Sequence, residues 1–143
     1  MPRKVSKRKR RAVIDTSVLI AGISGFKETM VPGKNRSADL LRRWTEQGNF
    51  VWLLSEDILE EYKEILTRLH VRPHIIGRIV NLLRERAEVV KIRRGPAISP
   101  DPDDDPFCMC AEQGEADLIV TLNPKDFPQG RLTARVISPN AIG

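Results

Sequence analysis

Arg11-Ala12-Val13-Ile14-Asp15-Thr16-Ser17-Val18-Leu19-Ile20 is the stretch on which the reading of the fold turns. The apolar run Ala12, Val13, Ile14 is too short for a buried helix and reads as a strand covered on both faces. It stops at Asp15. Thr16 and Ser17 follow with side-chain oxygens suited to capping a helix, and Val18, Leu19, Ile20 and Ile23 supply that helix's apolar residues. Open α/β sheets form their ligand crevice outside the carboxyl ends of the strands. Asp15 stands at such a point, although an aspartate there also serves as a plain helix cap. The acids further along the chain decide between the two roles.

Downstream, the residues from 25 to 36 include Gly25, Pro32, Gly33 and Asn35 and read as a loop. Ser37 is expected to cap a helix running to about Gln47, with Ala38, Leu41 and Trp44 at helical spacing and Gly48 as its stop. Phe50 to Leu54 is a second strand, ending at Ser55. Ile58, Leu59, Tyr62, Ile65, Leu66 and Leu69 then recur at three and four residues, and Glu56, Asp57, Glu60, Glu61 and Glu64 crowd the same helix's first half. Pro73 opens another helix, with Ile75, Ile76, Ile79, Val80, Leu82 and Leu83 inside and Arg78, Arg84 and Arg86 outside. Residues 88 to 92 read as a third strand and 93 to 102 as a loop. Asp105 is expected to cap a helix begun by Pro106 and ended at Gly114. Leu118 to Val120 is a fourth buried strand, and residues 136 to 138 form the last. Strands alternating with helices predict an α/β fold, a mostly parallel sheet with helices on both faces. Strand order is not readable at this stage.

The chain has 143 residues and a formal charge of +5, and the charge is unevenly placed. Arg3, Lys4, Lys7, Arg8, Lys9, Arg10 and Arg11 leave 17 bases against 19 acids in the rest of the chain. A mildly acidic domain (11–143) thus carries a basic arm (1–10), read as a solvated tail with incidental affinity for RNA. No apolar run approaches the roughly 20 residues of a membrane helix, and no apolar h-region follows the basic start. Cys108 and Cys110, two apart, fit neither a redox pair nor a zinc knuckle; buried, reduced thiols in a cytoplasmic protein are expected. His70 and His74 flank the Pro73 turn without metal-ligand spacing and read as turn residues.

Several acids belong to one edge of such a sheet. Asp15 ends the first strand, Asp104 and Asp105 start the helix before the fourth, and Asn123 lies just past that strand. Glu61, early in the helix after the second strand, reaches the same crevice. Carboxylates held close together repel, and a hard divalent cation such as Mg²⁺ removes that cost. The same ion supports hydrolysis of a phosphodiester.

At these residues the chain resembles PIN domains. Ala12-Val13-Ile14-Asp15-Thr16-Ser17-Val18-Leu19 is similar to that family's first motif. Ser55-Glu56-Asp57-Ile58-Leu59-Glu60-Glu61-Tyr62 and Asp101-Pro102-Asp103-Asp104-Asp105 are similar to its second and third. Ala116-Asp117-Leu118-Ile119-Val120-Thr121-Leu122-Asn123-Pro124-Lys125-Asp126-Phe127 is similar to the fourth. The resemblance runs in order from about Arg11 to Asn140, nearest the toxin branch of prokaryotic toxin–antitoxin pairs. It implies a three-layer α/β/α sandwich and a Mg²⁺- or Mn²⁺-dependent ribonuclease acting on single-stranded RNA. A homodimer and a cognate antitoxin protein are implied as well. By motif, Asp15, Glu61 and Asp105 are the metal-binding and catalytic acids, with Asp104 the close rival of Asp105 and Ser17 orienting the site. Asn123 replaces the aspartate many members carry; its carbonyl still ligates a cation or binds a metal-bound water, and Asp126 compensates for the lost charge. One tight metal rather than two is the expectation.

Two other functions fit parts of the pattern. A PIN-like scaffold of weak catalysis, binding RNA or protein through the basic arm, is consistent with Asn123 but not with retention of Asp15, Glu61 and Asp105. A phosphoryl-transfer or receiver domain would carry a second acid beside Asp15, where this chain has Thr16 and Ser17. No glycine-rich phosphate loop is present.

Overall fold

The computed structural model describes residues 8–28 and 35–141. Five strands, β1 (Arg10–Ile14), β2 (Phe50–Leu54), β3 (Glu88–Val89), β4 (Leu118–Val120) and β5 (Arg135–Ile137), form one sheet in the order β3-β2-β1-β4-β5. Every pairing in it is parallel. Among the described residues, five α-helices connect and cover it: α1 (Thr16–Glu28), α2 (Arg36–Gln47), α3 (Glu56–Arg68), α4 (Pro73–Arg86) and α5 (Asp105–Gln113). Ala12, Val13 and Ile14 are all fully buried although their side chains alternate between faces, so both faces of β1 are covered. The architecture is an α/β sandwich.

Local chemistry places most element ends. Ser55 caps α3 by accepting from the Ile58 N–H, and Gly48 closes α2 in the left-handed conformation at φ +58, which costs glycine no Cβ clash. Elsewhere the boundaries move. α2 is capped by Asn35, which accepts from the Ala38 N–H at 2.9 Å, and Ser37 lies buried inside the helix rather than at its start. α1 runs through Gly25 to Glu28, because each glycine inside a helix, here Gly22 and Gly25, costs only about 1 kcal/mol. The rest of the expected loop, 29–34, and arm residues Arg3, Lys4 and Lys7 lie outside the described residues. β3 is two residues long, and only the Val90 N–H to Leu54 carbonyl bond of 2.7 Å extends it.

The core joins both sheet faces to the helices. Trp52, Tyr62, Phe107 and Leu53 are among its largest buried side chains, and Trp44 packs edge-on to Trp52 with centroids 4.8 Å apart. α4 is less deeply seated than its periodicity predicts: Ile76 and Leu83 are buried, while Ile75, Ile79 and Leu82 line an apolar groove of about 540 Å³ shared with α1 and α2. Arg86 reaches from α4 to the Trp44 and Thr45 carbonyls, satisfying the end of α2, and lies 5.1 Å from the Trp44 ring centre. Among the described residues, no helix is long and apolar enough to cross a membrane.

Candidate active site

The chain leaves β1 towards β2 and returns on the other side of β1 as β4. The carboxyl ends of β1 and β4 therefore border the point where strand order reverses, where sheets of this kind bind ligands. Asp15 lies on that seam, its N–H donating to the Val120 carbonyl at 2.9 Å. Two hydroxyls hold its carboxylate. Ser17 Oγ donates to Oδ2 at 2.6 Å and Thr121 Oγ1 donates to the same oxygen at 2.9 Å. Oδ1 receives no hydrogen bond from a described residue. The carboxylate does not cap the helix; the Asp15 carbonyl opens α1 by accepting from the Val18 and Leu19 N–H groups. Nor do Thr16 and Ser17 cap it, since both hydroxyls point to carboxylates.

Two contacts fix Glu61 against this seam. Thr16 Oγ1 donates to Glu61 Oε2 at 2.6 Å, and the buried Tyr62 hydroxyl donates to the Ile14 carbonyl. Consecutive residues of α3 thus grip the residues on either side of Asp15. Burial raises the Glu61 pKa, the Thr16 hydrogen bond opposes this, and the charges of Asp15, Asp103 and Glu64 raise it further.

The two aspartates at the start of α5 part company. Asp104 is half-buried, and its pKa is pushed up to about 6 by burial first, then by Asp101, Asp15, Asp126 and Asp103. Asp105 instead turns to the preceding loop, where Oδ1 accepts from the Ile98 N–H at 2.8 Å and the Ser99 N–H at 2.9 Å. The expected cap is also absent, for Asp105 is the first residue of α5 and no side chain caps that helix. The metal role assigned by motif to Asp105 therefore meets a carboxylate already engaged by backbone, and Asp104 is the acid that senses Asp15.

Asn123 is exposed beyond β4, and its carbonyl accepts from the Asp126 N–H at 3.0 Å across the short turn Pro124–Asp126. That turn brings Asp126 within electrostatic range of Asp104. The sequence pattern offered Thr16 only as a helix cap and Tyr62 only as a core residue, and gave the Thr121 hydroxyl no role. Their signal was a hydroxyl residue within two positions of the end of each central buried strand and a tyrosine beside the helix acid. Cys108 and Cys110 are buried free thiols, both pushed up to about 12 by burial, and take no part.

Whether these residues suit a divalent cation is a question of donor chemistry. Among the described residues, no three His, Cys, Asp or Glu side chains form a ready-made metal cluster. Mg²⁺ does not require one, because it commonly keeps several waters and takes one or two carboxylates. Asp15, with one carboxylate oxygen that accepts no hydrogen bond from a described residue, and Glu61 and Asp104, both raised first by burial and then by the charge of Asp15 among others, meet that demand. Their mutual repulsion is the electrostatic condition a cation relieves.

No curated protein matches the sequence. A family model described as PIN domain matches residues 11–125, from the start of β1 past Asn123, and this fold generally serves nucleases. With most of its length matched and an acid-lined crevice at the strand-order reversal, the chain belongs to the PIN domain family.

Proposed function

We propose that this PIN domain is a Mg²⁺- or Mn²⁺-dependent endoribonuclease that hydrolyses phosphodiester bonds of single-stranded RNA. The observation carrying it is the convergence of Asp15, Glu61 and Asp104, remote in sequence, on one crevice where burial, and then the charge of Asp15 among others, raises the pKa values of both Glu61 and Asp104. Asp15 and Asp104 hold the cation, with Glu61 as second acid and proton acceptor at Oε1 or Oε2. Ser17 and Thr121 lock the Asp15 carboxylate in place, and Thr16 does the same for Glu61. A bound divalent ion supplies the positive charge that a phosphodiester needs in order to be attacked by water. Asn123 and Asp126, on the far lip, orient substrate or metal-held water. Asn123 supplies no charge, which favours one tight metal over two.

The test is cleavage of end-labelled single-stranded RNA with Mn²⁺ or Mg²⁺, comparing the parent chain with Asp15→Asn and Asp104→Asn. Loss of cleavage in both variants, with the fold intact by circular dichroism, supports the reading. Cleavage by neither the parent nor the variants, in either metal, overturns it and favours the weakly catalytic binding module.

The reading extends to biology in a cytoplasmic setting. The domain acts as the toxin of a toxin–antitoxin pair, silenced by a cognate antitoxin protein, and works as a homodimer. The half-covered apolar faces of α2 and α4 support association. Mass measurement in solution tests the dimer, and growth arrest on expression, relieved by the product of a neighbouring small gene, tests the toxin role.

A further inference from the structure

A second pocket, of about 300 Å³, opens on the same edge of the sheet, between the start of α3, the chain after β3 and the start of α5. Its walls include Ile92 and Met109, which are apolar, together with Asp57, Arg94 and Asp105. It adjoins the acidic crevice. The parallel register pairs Val13 with Leu53, so Ser55, which also lines the pocket and directly follows β2, leaves the sheet at the same edge as Asp15, which directly follows β1. Asp104 faces the crevice while the next residue, Asp105, lines the pocket.

The charges of this pocket are unlike those of a phosphate site. Two carboxylates against one guanidinium repel an anion, whereas a neutral group rich in N–H donors is welcome. Asp105 is already engaged by the Ile98 and Ser99 N–H groups. Asp57 is exposed and receives no hydrogen bond or ion pair from a described residue, and Arg94 has no acidic partner among them. One open carboxylate, one open guanidinium and an apolar wall are thus left to a visitor. Single-stranded RNA is read in this way, by bases splayed from the strand, covered on a face and hydrogen-bonded along their edges.

We infer that this pocket is a nucleobase subsite selective for guanine, one nucleotide from the scissile bond. Guanine carries adjacent donors at N1 and N2 that meet both oxygens of a carboxylate such as Asp57. Its O6 and N7 accept two hydrogen bonds from an arginine such as Arg94. Uracil's N3–H is flanked by carbonyls that a carboxylate repels. Adenine and cytosine offer a single exocyclic amine beside a ring acceptor. Ile92 and Met109 cover the base. The subsite's place beside the reaction rests on the ribonuclease reading; the binding itself does not.

The test is titration of the full chain, methyl-labelled at methionine, with guanosine, adenosine, cytidine and uridine, without metal. Met109 is assigned by its loss in Met109→Leu. Guanosine should move the Met109 methyl signal at concentrations where the other three nucleosides do not. Arg94→Ala and Asp57→Asn, both at exposed positions, should each weaken guanosine at least about tenfold, the scale of one lost bidentate contact. Equal response to all four nucleosides, no response to any, or unchanged guanosine binding in both variants overturns the proposal. Because no cleavage is read, that failure leaves the nuclease reading standing, and an inactive chain that still binds guanosine would separate the two in the other direction. In an active chain, sequencing of cleavage ends should show guanine enriched at one flanking position and the enrichment lost in Arg94→Ala.

Discussion

Asp104 and Asp105 show how much one residue step decides. Successive residues at a helix start point about 100° apart, so only one of the pair can face the crevice while the other turns to the loop. Asp105→Ala should therefore cost stability, about 1–3 kcal/mol for the unpaired Ile98 and Ser99 N–H groups, while lowering RNA cleavage far less than Asp104→Ala does. Denaturant melts beside initial rates check it; the reverse ranking would return the metal role to Asp105. The raised pKa of Asp104 makes a second prediction. Its folded value of about 6 lies above the ordinary aspartate value of 3.8, so the native state holds the proton more tightly. As pH rises from about 4 to 6 the metal-free protein loses stability at this residue, and above 6 the loss is complete. Asp104→Asn, a permanent mimic of the protonated acid, should be more stable than the parent in EDTA at pH 7.5 and no more stable at pH 3.5. Unfolding curves at the two pH values read the difference, and an equal offset at both would disprove the charge argument. Glu61, raised in the same direction, adds to the parent's trend but cancels in the comparison.

At the scale of elements, α3 is the device that builds the site, because Tyr62 and Glu61 bind the residues flanking Asp15. Tyr62→Phe deletes the bond to the Ile14 carbonyl in the core. It should cost about 1–3 kcal/mol of stability and weaken Mn²⁺ affinity as Glu61 loses its fixed distance from Asp15. Calorimetric titration of Mn²⁺ reads this, and full affinity in the variant would show that Thr16 alone positions Glu61. The seat of α1 on α2 rests on Gly22. A Cβ there would stand 2.4 Å from Leu41 Cδ1 and 3.0 Å from the Ser37 carbonyl oxygen. Gly22→Ala should destabilise by about 1–3 kcal/mol, because Leu41 can swing aside but backbone cannot; a melt unchanged from the parent would refute the tight contact. Elements were legible in the sequence where their signals are local. Ser55 before an amphipathic run and Gly48 after one carry their own physics, and each bounds its helix in the structure. Asn35 and Ser37 are equally good caps on paper, and the choice fell to Asn35, which also donates to the Ala21 carbonyl of α1 at 2.9 Å. That contact is tertiary, so no local pattern announces it.

For the molecule as a whole, the parallel sheet gives the domain two unlike edges. The amino edge is held by ion pairs: Arg11 bonds Glu88 at 3.0 and 2.7 Å and the Gly114 carbonyl at 2.9 Å, and Arg8 bonds Asp117 at 3.0 Å. Asp117 also accepts from the Arg11 N–H at 2.8 Å, which gives this acid of the fourth motif a structural task far from the crevice. The carboxyl edge carries the acids. Strand order was beyond the sequence because Ala12–Ile14 and Leu118–Val120 are both wholly buried apolar runs, and nothing local in either names its neighbours. Once the order is known, its consequence for the basic arm is geometric. The arm enters at Arg10 while Asp15 ends the same strand, about 17 Å away at roughly 3.3 Å per residue. A polyanion bound at Arg10 and reaching the acids therefore spans that length of the domain. Deleting residues 1–7 removes Arg3, Lys4 and Lys7 and spares the Arg8–Asp117 pair. The turnover rate on an RNA too short to span both edges should stay as in the parent. Affinity for a long single strand should fall, and the slope of log affinity against log salt should shrink by about 2, near 0.7 for each lost contact. Affinity measured over a salt series on the two lengths of RNA separates the cases. A slower turnover of the short RNA would mean that the arm folds round to the crevice, and an unchanged slope on the long one would mean that its charges never meet RNA.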